Sequence, residues 1–142
     1  MKTIVVIDGK GGGVGSALIS RLKAENVPAR VLALGTNALA TSAMLRAGAD
    51  DGATGENAIV RCCQRADVVA GPIGIVLAGA MLGEVTDAMA AAAAQCESRV
   101  LIPNAKSGTY VCGVQELTLT QYIELAARQV ARLVQGAGSP LA

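Results

Sequence analysis

The stretch from Thr3 to Glu25, TIVVIDGKGGGVGSALISRLKAE, constrains the fold more than any other part of the sequence. Thr3 to Asp8 is an apolar, β-branched run of strand length. Gly9, Gly13 and Gly15 follow with the spacing G-x-x-x-G-x-G, and Gly11 and Gly12 add further freedom. From Ser16 the pattern turns helical, with Leu18, Ile19 and Leu22 on one face and Arg21, Lys23 and Glu25 on the other. Strand, glycine turn and amphipathic helix in that order open a parallel α/β sheet. A turn without Cβ atoms lets backbone N–H groups approach a phosphate, and the helix N-terminus behind it adds about half a positive charge. The loop Asp8, Gly9, Lys10, Gly11, Gly12, Gly13, Val14 and Gly15 is therefore the first candidate site, for the phosphate of a nucleotide.

With 17 Gly in 142 residues the spacing alone is weak, and the strand before it and helix after it are what strengthen it. It resembles the short-chain dehydrogenase form of the dinucleotide fingerprint more than G-x-G-x-x-G, because Val14 stands where the latter has its third glycine. NAD or NADP is the cofactor this implies. KGGGVGS also compares with a P-loop, but no lysine precedes Ser16, and only Lys10 could stand in for it. Binding of Mg–ATP ranks below binding of a dinucleotide. The plain alternative is a tight turn that holds nothing. Asp8 argues in that direction, since a carboxylate at the mouth of a phosphate loop repels the ligand unless Lys10 or a metal offsets it. The favoured role for Asp8 is closing its own loop through backbone N–H groups.

Asn26-Val27-Pro28 ends the first helix, and Arg30 to Leu34 reads as the second strand. It runs into Gly35-Thr36-Asn37, where a dinucleotide-binding sheet contacts the adenosine ribose. Thr36 and Asn37 stand in place of the usual acidic residue, so the choice between NAD and NADP stays open. Asn37 also suits the N-cap of a helix ending near Gly48. A brief third strand is expected around Gly52 to Thr54, with Thr54 capping a helix from about Gly55 to Arg65. Asp67 to Gly71 is the next strand, and Gly71, Pro72 and Ile73 at its carboxyl end are candidates to line the ligand crevice. Gly83 interrupts the following helical region, and Thr86-Asp87 starts an alanine-rich helix suited to close approach to a sheet or a partner subunit. Arg99 to Ile102 is a strand; Thr109 to Val114 is expected as a further one, a hairpin return or antiparallel edge addition. Thr118 with Gln121 forms a capping box for a helix from Leu119 to Val134, supported by Glu124 and Arg128 at i,i+4. Residues 1–135 form one domain, and 136–142 a loose tail.

The chain is similar to a small bacterial family catalogued only as a domain of unknown function. The resemblance rests on VVIDGKGGGVG at 5–15, LALGTNALATSAMLRAGADDGATGENAI at 32–59 and GPIGIVLAGAMLGE at 71–84. It implies a compact Rossmann-like α/β domain, a mostly parallel sheet with helices on both faces, and it implies no activity.

Lys and Arg total 12 against 11 Asp and Glu, so no field draws nucleic acid or a membrane surface. Without Phe or Trp, and with two Tyr, there are few platforms for stacking bases. Hydrophobic residues make up 52% and charged ones 16%, a surplus that points to buried subunit interfaces and a homo-oligomer. The N-terminus does not read as a signal peptide, since Asp8 interrupts its apolar run, and a cytoplasmic protein is expected. Cys62, Cys63, Cys96 and Cys112 have no C-x-x-C spacing and the chain has no His, so they read as reduced thiols rather than zinc ligands.

Short-chain dehydrogenases use a Tyr-x-x-x-Lys pair, and neither Tyr110 nor Tyr122 has one. Polar groups that the carboxyl-end rule brings to the crevice are Asp8, Lys10, Glu56, Asn57, Asn104, Lys106 and Tyr110, and none is assigned to catalysis. The reading is a small NAD(P)-binding sensor or subunit. A compact reductase with its substrate site at an oligomer interface, or a structural homo-oligomer, are the alternatives.

Overall fold

The computed structural model describes residues 1–103 and 108–136. Five strands alternate with five helices: β1 Lys2–Asp8, α1 Gly13–Ala24, β2 Ala29–Gly35, α2 Ala38–Arg46, β3 Asp51–Thr54, α3 Glu56–Cys63, β4 Val68–Pro72, α4 Asp87–Gln95, β5 Arg99–Ile102 and α5 Leu119–Val134. The strands lie in the order β3-β2-β1-β4-β5, every neighbouring pair parallel. Strands buried on both faces need apolar side chains in both directions, which is why β1 is a continuous run rather than an alternating one. Ile4 and Val6 pack with α1, α2 and α5 on one face. Val5 and Ile7 pack with α3 and α4 on the other. The expected α/β domain with helices on both faces is the fold observed.

Chain order reverses between β1 and β4. The strand after β1 in sequence goes to one side, and the chain then returns to start β4 on the other. That divergence leaves a crevice at the carboxyl ends of β1 and β4, where no helix crosses the sheet edge. Asp8 ends β1 and Pro72 ends β4, so the glycine loop and the Gly71-Pro72 turn face each other there.

Local signals explain most boundaries. Asn37 Oδ1 accepts the Ala40 N–H at 2.9 Å and caps α2. Thr86 caps α4 through the Met89 N–H at 3.2 Å, and Ala90 and Ala93 let that helix sit close against α3 and the segment after β4. Thr118 and Gln121 form both bonds of the capping box on α5.

Four expectations are corrected. The first helix starts at Gly13 rather than Ser16, because Gly12 in the left-handed region (φ 72°) turns the chain into it. Thr54 does not cap α3: its hydroxyl is bonded to that of Thr41 at 2.7 Å, and Gly55 holds the cap position. Thr109 to Val114 is no strand. Gly113 (φ 83°) bends that segment, Tyr110 lies exposed, and all described strands are parallel. Glu124 reaches Arg21 of α1 at 3.6 Å, so its ion pair ties two helices instead of supporting one. The tail beyond residue 136 lies outside the described residues.

Candidate functional site at the glycine loop

The loop is built around two carboxylates. Asp8 is almost fully buried, and its two oxygens divide the loop between them: Oδ1 accepts the Gly9 N–H and Oδ2 the Gly15 N–H, both at 2.7 Å. Asp8 thus closes its own turn, in the role favoured from the sequence. Burial pushes its carboxyl above the ordinary value, against the pull of the N–H groups of Gly15, Gly9 and Val14, and the nearby charge of Glu84 adds to the rise.

Glu84 comes from the segment that follows β4. Its Oε1 accepts three donors: the Lys10 N–H at 2.9 Å, the Thr36 hydroxyl at 2.6 Å and the Asn37 amide at 3.0 Å. The Lys10 N–H, the hydroxyl and the amide hold its carboxyl below the ordinary value, in that order with burial opposing, and the Lys10 charge contributes last. Asn37 also donates to the Lys10 carbonyl at 3.0 Å. The ends of β1, β2 and the post-β4 segment are therefore clasped through one oxygen atom.

Three of the five loop glycines have packing reasons inside the chain, Gly15 through Met44 and Asp8. A Cβ on Gly9 would lie 2.8 Å from Glu84 Oε1, and one on Gly12 would lie 2.9 Å from the Ala40 backbone. Gly11 and Gly13 have none. Neither has a positive φ, and nothing lies within 4 Å of where their Cβ would be. Their N–H groups have no acceptor among the described residues, and they open onto a cleft of about 660 Å³. Asp8, Gly9, Lys10, Val14 and Pro72 line the same cleft, with Met81 and Leu82 arching over it. A second cleft of about 600 Å³ shares Val14, Pro72 and Leu119 and extends to Tyr110.

The sequence candidates divide accordingly. The loop residues Asp8 to Val14 meet Pro72 at one cleft, and Gly15 anchors Asp8 from behind. Thr36 and Asn37 stand beside the loop but are engaged by Glu84. Gly71 is a packing glycine, set against the Ile7 carbonyl of β1, and Ile73 lines neither cleft. Glu56 accepts the Thr86 hydroxyl at 2.6 Å and exposed Asn57 lines neither cleft, so both leave the site. Asn104 and Lys106 lie outside the described residues. Glu84 was missed. Its signal was Gly79 and Gly83 around Met81-Leu82 at the end of a strand, a loop hidden by helix-favouring residues.

The family model of the domain of unknown function DUF3842 matches residues 3–135. The chain belongs to that family. No curated protein is a significant match to this DUF3842 chain. Among solved structures, it is similar to a dodecameric FMN-dependent UbiX-like decarboxylase from Escherichia coli O157:H7, at 16% identity and a TM-score of 0.49, over 100% of this chain and 97% of that one. It is also similar to AibC, at 16% identity and a TM-score of 0.44, over 95% of this chain and 44% of that one.

NAD or NADP as cofactor is corrected here. The Escherichia coli decarboxylase is described as FMN-dependent. Within the DUF3842 chain itself, Glu84 occupies the donors of Thr36 and Asn37 that an adenosine ribose would need. Among the described residues, no helix is long and apolar enough to cross a membrane.

Proposed function

We propose that the cleft at the glycine loop binds a mononucleotide-type ligand, its phosphate on the N–H groups of Gly11 and Gly13 with the Lys10 ammonium beside them. The observation that carries this reading is the pair Gly11 and Gly13, whose missing side chains serve neither backbone conformation nor packing and face the cleft. A glycine in a loop costs conformational entropy, so glycines with no internal role point to close approach by something else. The N-terminus of α1, which begins at Gly13, favours an anionic group at that place. Glu84 closes the route toward β2, and the open space runs along Pro72 and Leu119 toward Tyr110. That leaves room for one nucleotide unit and none for a second half at Thr36 and Asn37.

The site residues are then Lys10, Gly11, Gly13, Val14 and Pro72 for contact, with Asp8 and Glu84 holding the loop in shape. Both Asp8 oxygens are committed to backbone donors, and no residue is assigned to catalysis. The role is binding, as a sensor or a subunit of a larger assembly. Leu82 and Tyr110, both strongly exposed beside the clefts, support self-association at this end of the sheet. Calorimetric titration with FMN, AMP and ATP, the last with and without Mg²⁺, tests the reading. Saturable binding of one of them at about one per chain is expected. Absence of heat with all of them contradicts it.

A further inference from the structure

We propose that a second site lies at the β3 edge of the sheet, between β2, β3 and α3, for a small molecule carrying a carboxylate or phosphate on an apolar body. The β2–β3 register sets Leu32 beside Asp51 and Leu34 beside Ala53, which puts all four on one face. Leu32, Leu34 and Ala53 floor a cleft of about 350 Å³, within the range of small-ligand pockets. Leu32 is only partly covered, and β3 beside it is a short edge strand.

Three guanidinium groups border that floor, Arg30, Arg61 and Arg65, against one carboxylate, Asp51. Arg30 reaches Asp51 at 3.4 Å. Arg61 and Arg65 have no ion-pair or hydrogen-bond acceptor for their side chains among the described residues. Basic residues near a helix C-terminus complement its dipole wherever they occur, so their charge alone decides nothing. What distinguishes these two is their place, four residues apart, at the rim of a partly covered apolar floor. A planar guanidinium takes a carboxylate or phosphate through two parallel N–H bonds, and the floor takes the apolar body. This cleft shares no lining residue with the glycine-loop cleft and is separate from it.

Cys62 lines the cleft and is partly exposed, which supplies a local reporter; Cys112, exposed elsewhere, is the internal control. The test is titration of the full chain with naphthyl phosphate and naphthoate, compared with neutral naphthalenemethanol and inorganic phosphate, while alkylation of each cysteine by iodoacetamide is followed by mass spectrometry. Both aromatic anions are expected to bind saturably and to slow alkylation of Cys62 but not of Cys112. The double variant Arg61→Gln, Arg65→Gln, at two exposed positions, is expected to weaken binding at least about tenfold and abolish the protection. Equal binding of naphthalenemethanol or inorganic phosphate, or unchanged binding by the double variant, overturns the proposal. Gly13→Val leaves this site untouched, which separates it from the glycine-loop cleft.

Discussion

Asp8 and Glu84, one within the glycine loop and one clasping it from the segment after β4, have opposite titration behaviour. Asp8 is buried and held above its ordinary value of 3.8, so its ionised form lowers stability as pH rises past that value. Glu84 is held below its ordinary value of 4.5, so its clasp is complete above that pH and is lost as pH falls through the lowered value. Acid should therefore release the segment around Glu84 before it unfolds the sheet. The protection of the Lys10 amide, which donates to Glu84, relative to its intrinsic exchange rate should fall as pH drops through the lowered Glu84 value while the amides of β1 stay protected. Simultaneous loss of both would refute a separate clasp. Glu84→Gln keeps an acceptor for those donors and removes a charge that opposes a phosphate. It should tighten nucleotide binding by roughly fivefold, about 1 kcal/mol in an aqueous cleft, measured by the same calorimetry. The Asp8 turn was legible because Asp before a glycine run has one common local use. The Glu84 clasp was not, because its partners lie 74, 48 and 47 residues away in the chain and no periodicity reports such a contact.

At the scale of the elements, caps and buried runs carried the most readable information. Asn37, Thr86 and the Thr118–Gln121 box each start a helix where the residue types predict. Thr118→Ala should lower stability by about 1 kcal/mol, seen as a lower denaturation midpoint with an unchanged slope. An unchanged midpoint would mean that packing of Ile123, Ala127 and Val130 alone holds α5 in place. Thr54 misled because threonine before a helix is a common cap, yet its hydroxyl found Thr41 across the β3–α2 contact instead. The segment from Thr109 to Val114 misled for a related reason: β-branched and aromatic residues favour strands, but a strand needs a neighbour with free edge groups. Gly113, at φ 83°, takes the backbone out of the extended region within the segment.

At the scale of the molecule, the parallel order β3-β2-β1-β4-β5 follows from alternating strands and helices joined by right-handed crossovers, so the architecture was open to sequence reasoning. The site was open in part. The reversal of chain order had to fall beside β1, which placed the glycine loop at the crevice, but which loop glycines face space and which face protein depends on α2 and the post-β4 segment. Gly12 meets Ala40 and Gly9 meets Glu84, while Gly11 and Gly13 meet nothing. Phosphate binding at the loop depends on that distinction. The measurement that tests it most directly is calorimetric titration of wild type and Gly13→Val side by side with the nucleotide that binds. A side chain at Gly13 has room within the chain, so the variant should fold and unfold as wild type does and lose binding by a hundredfold or more, about 3 kcal/mol. A folded Gly13→Val protein that binds as tightly as wild type would remove the glycine loop from the site.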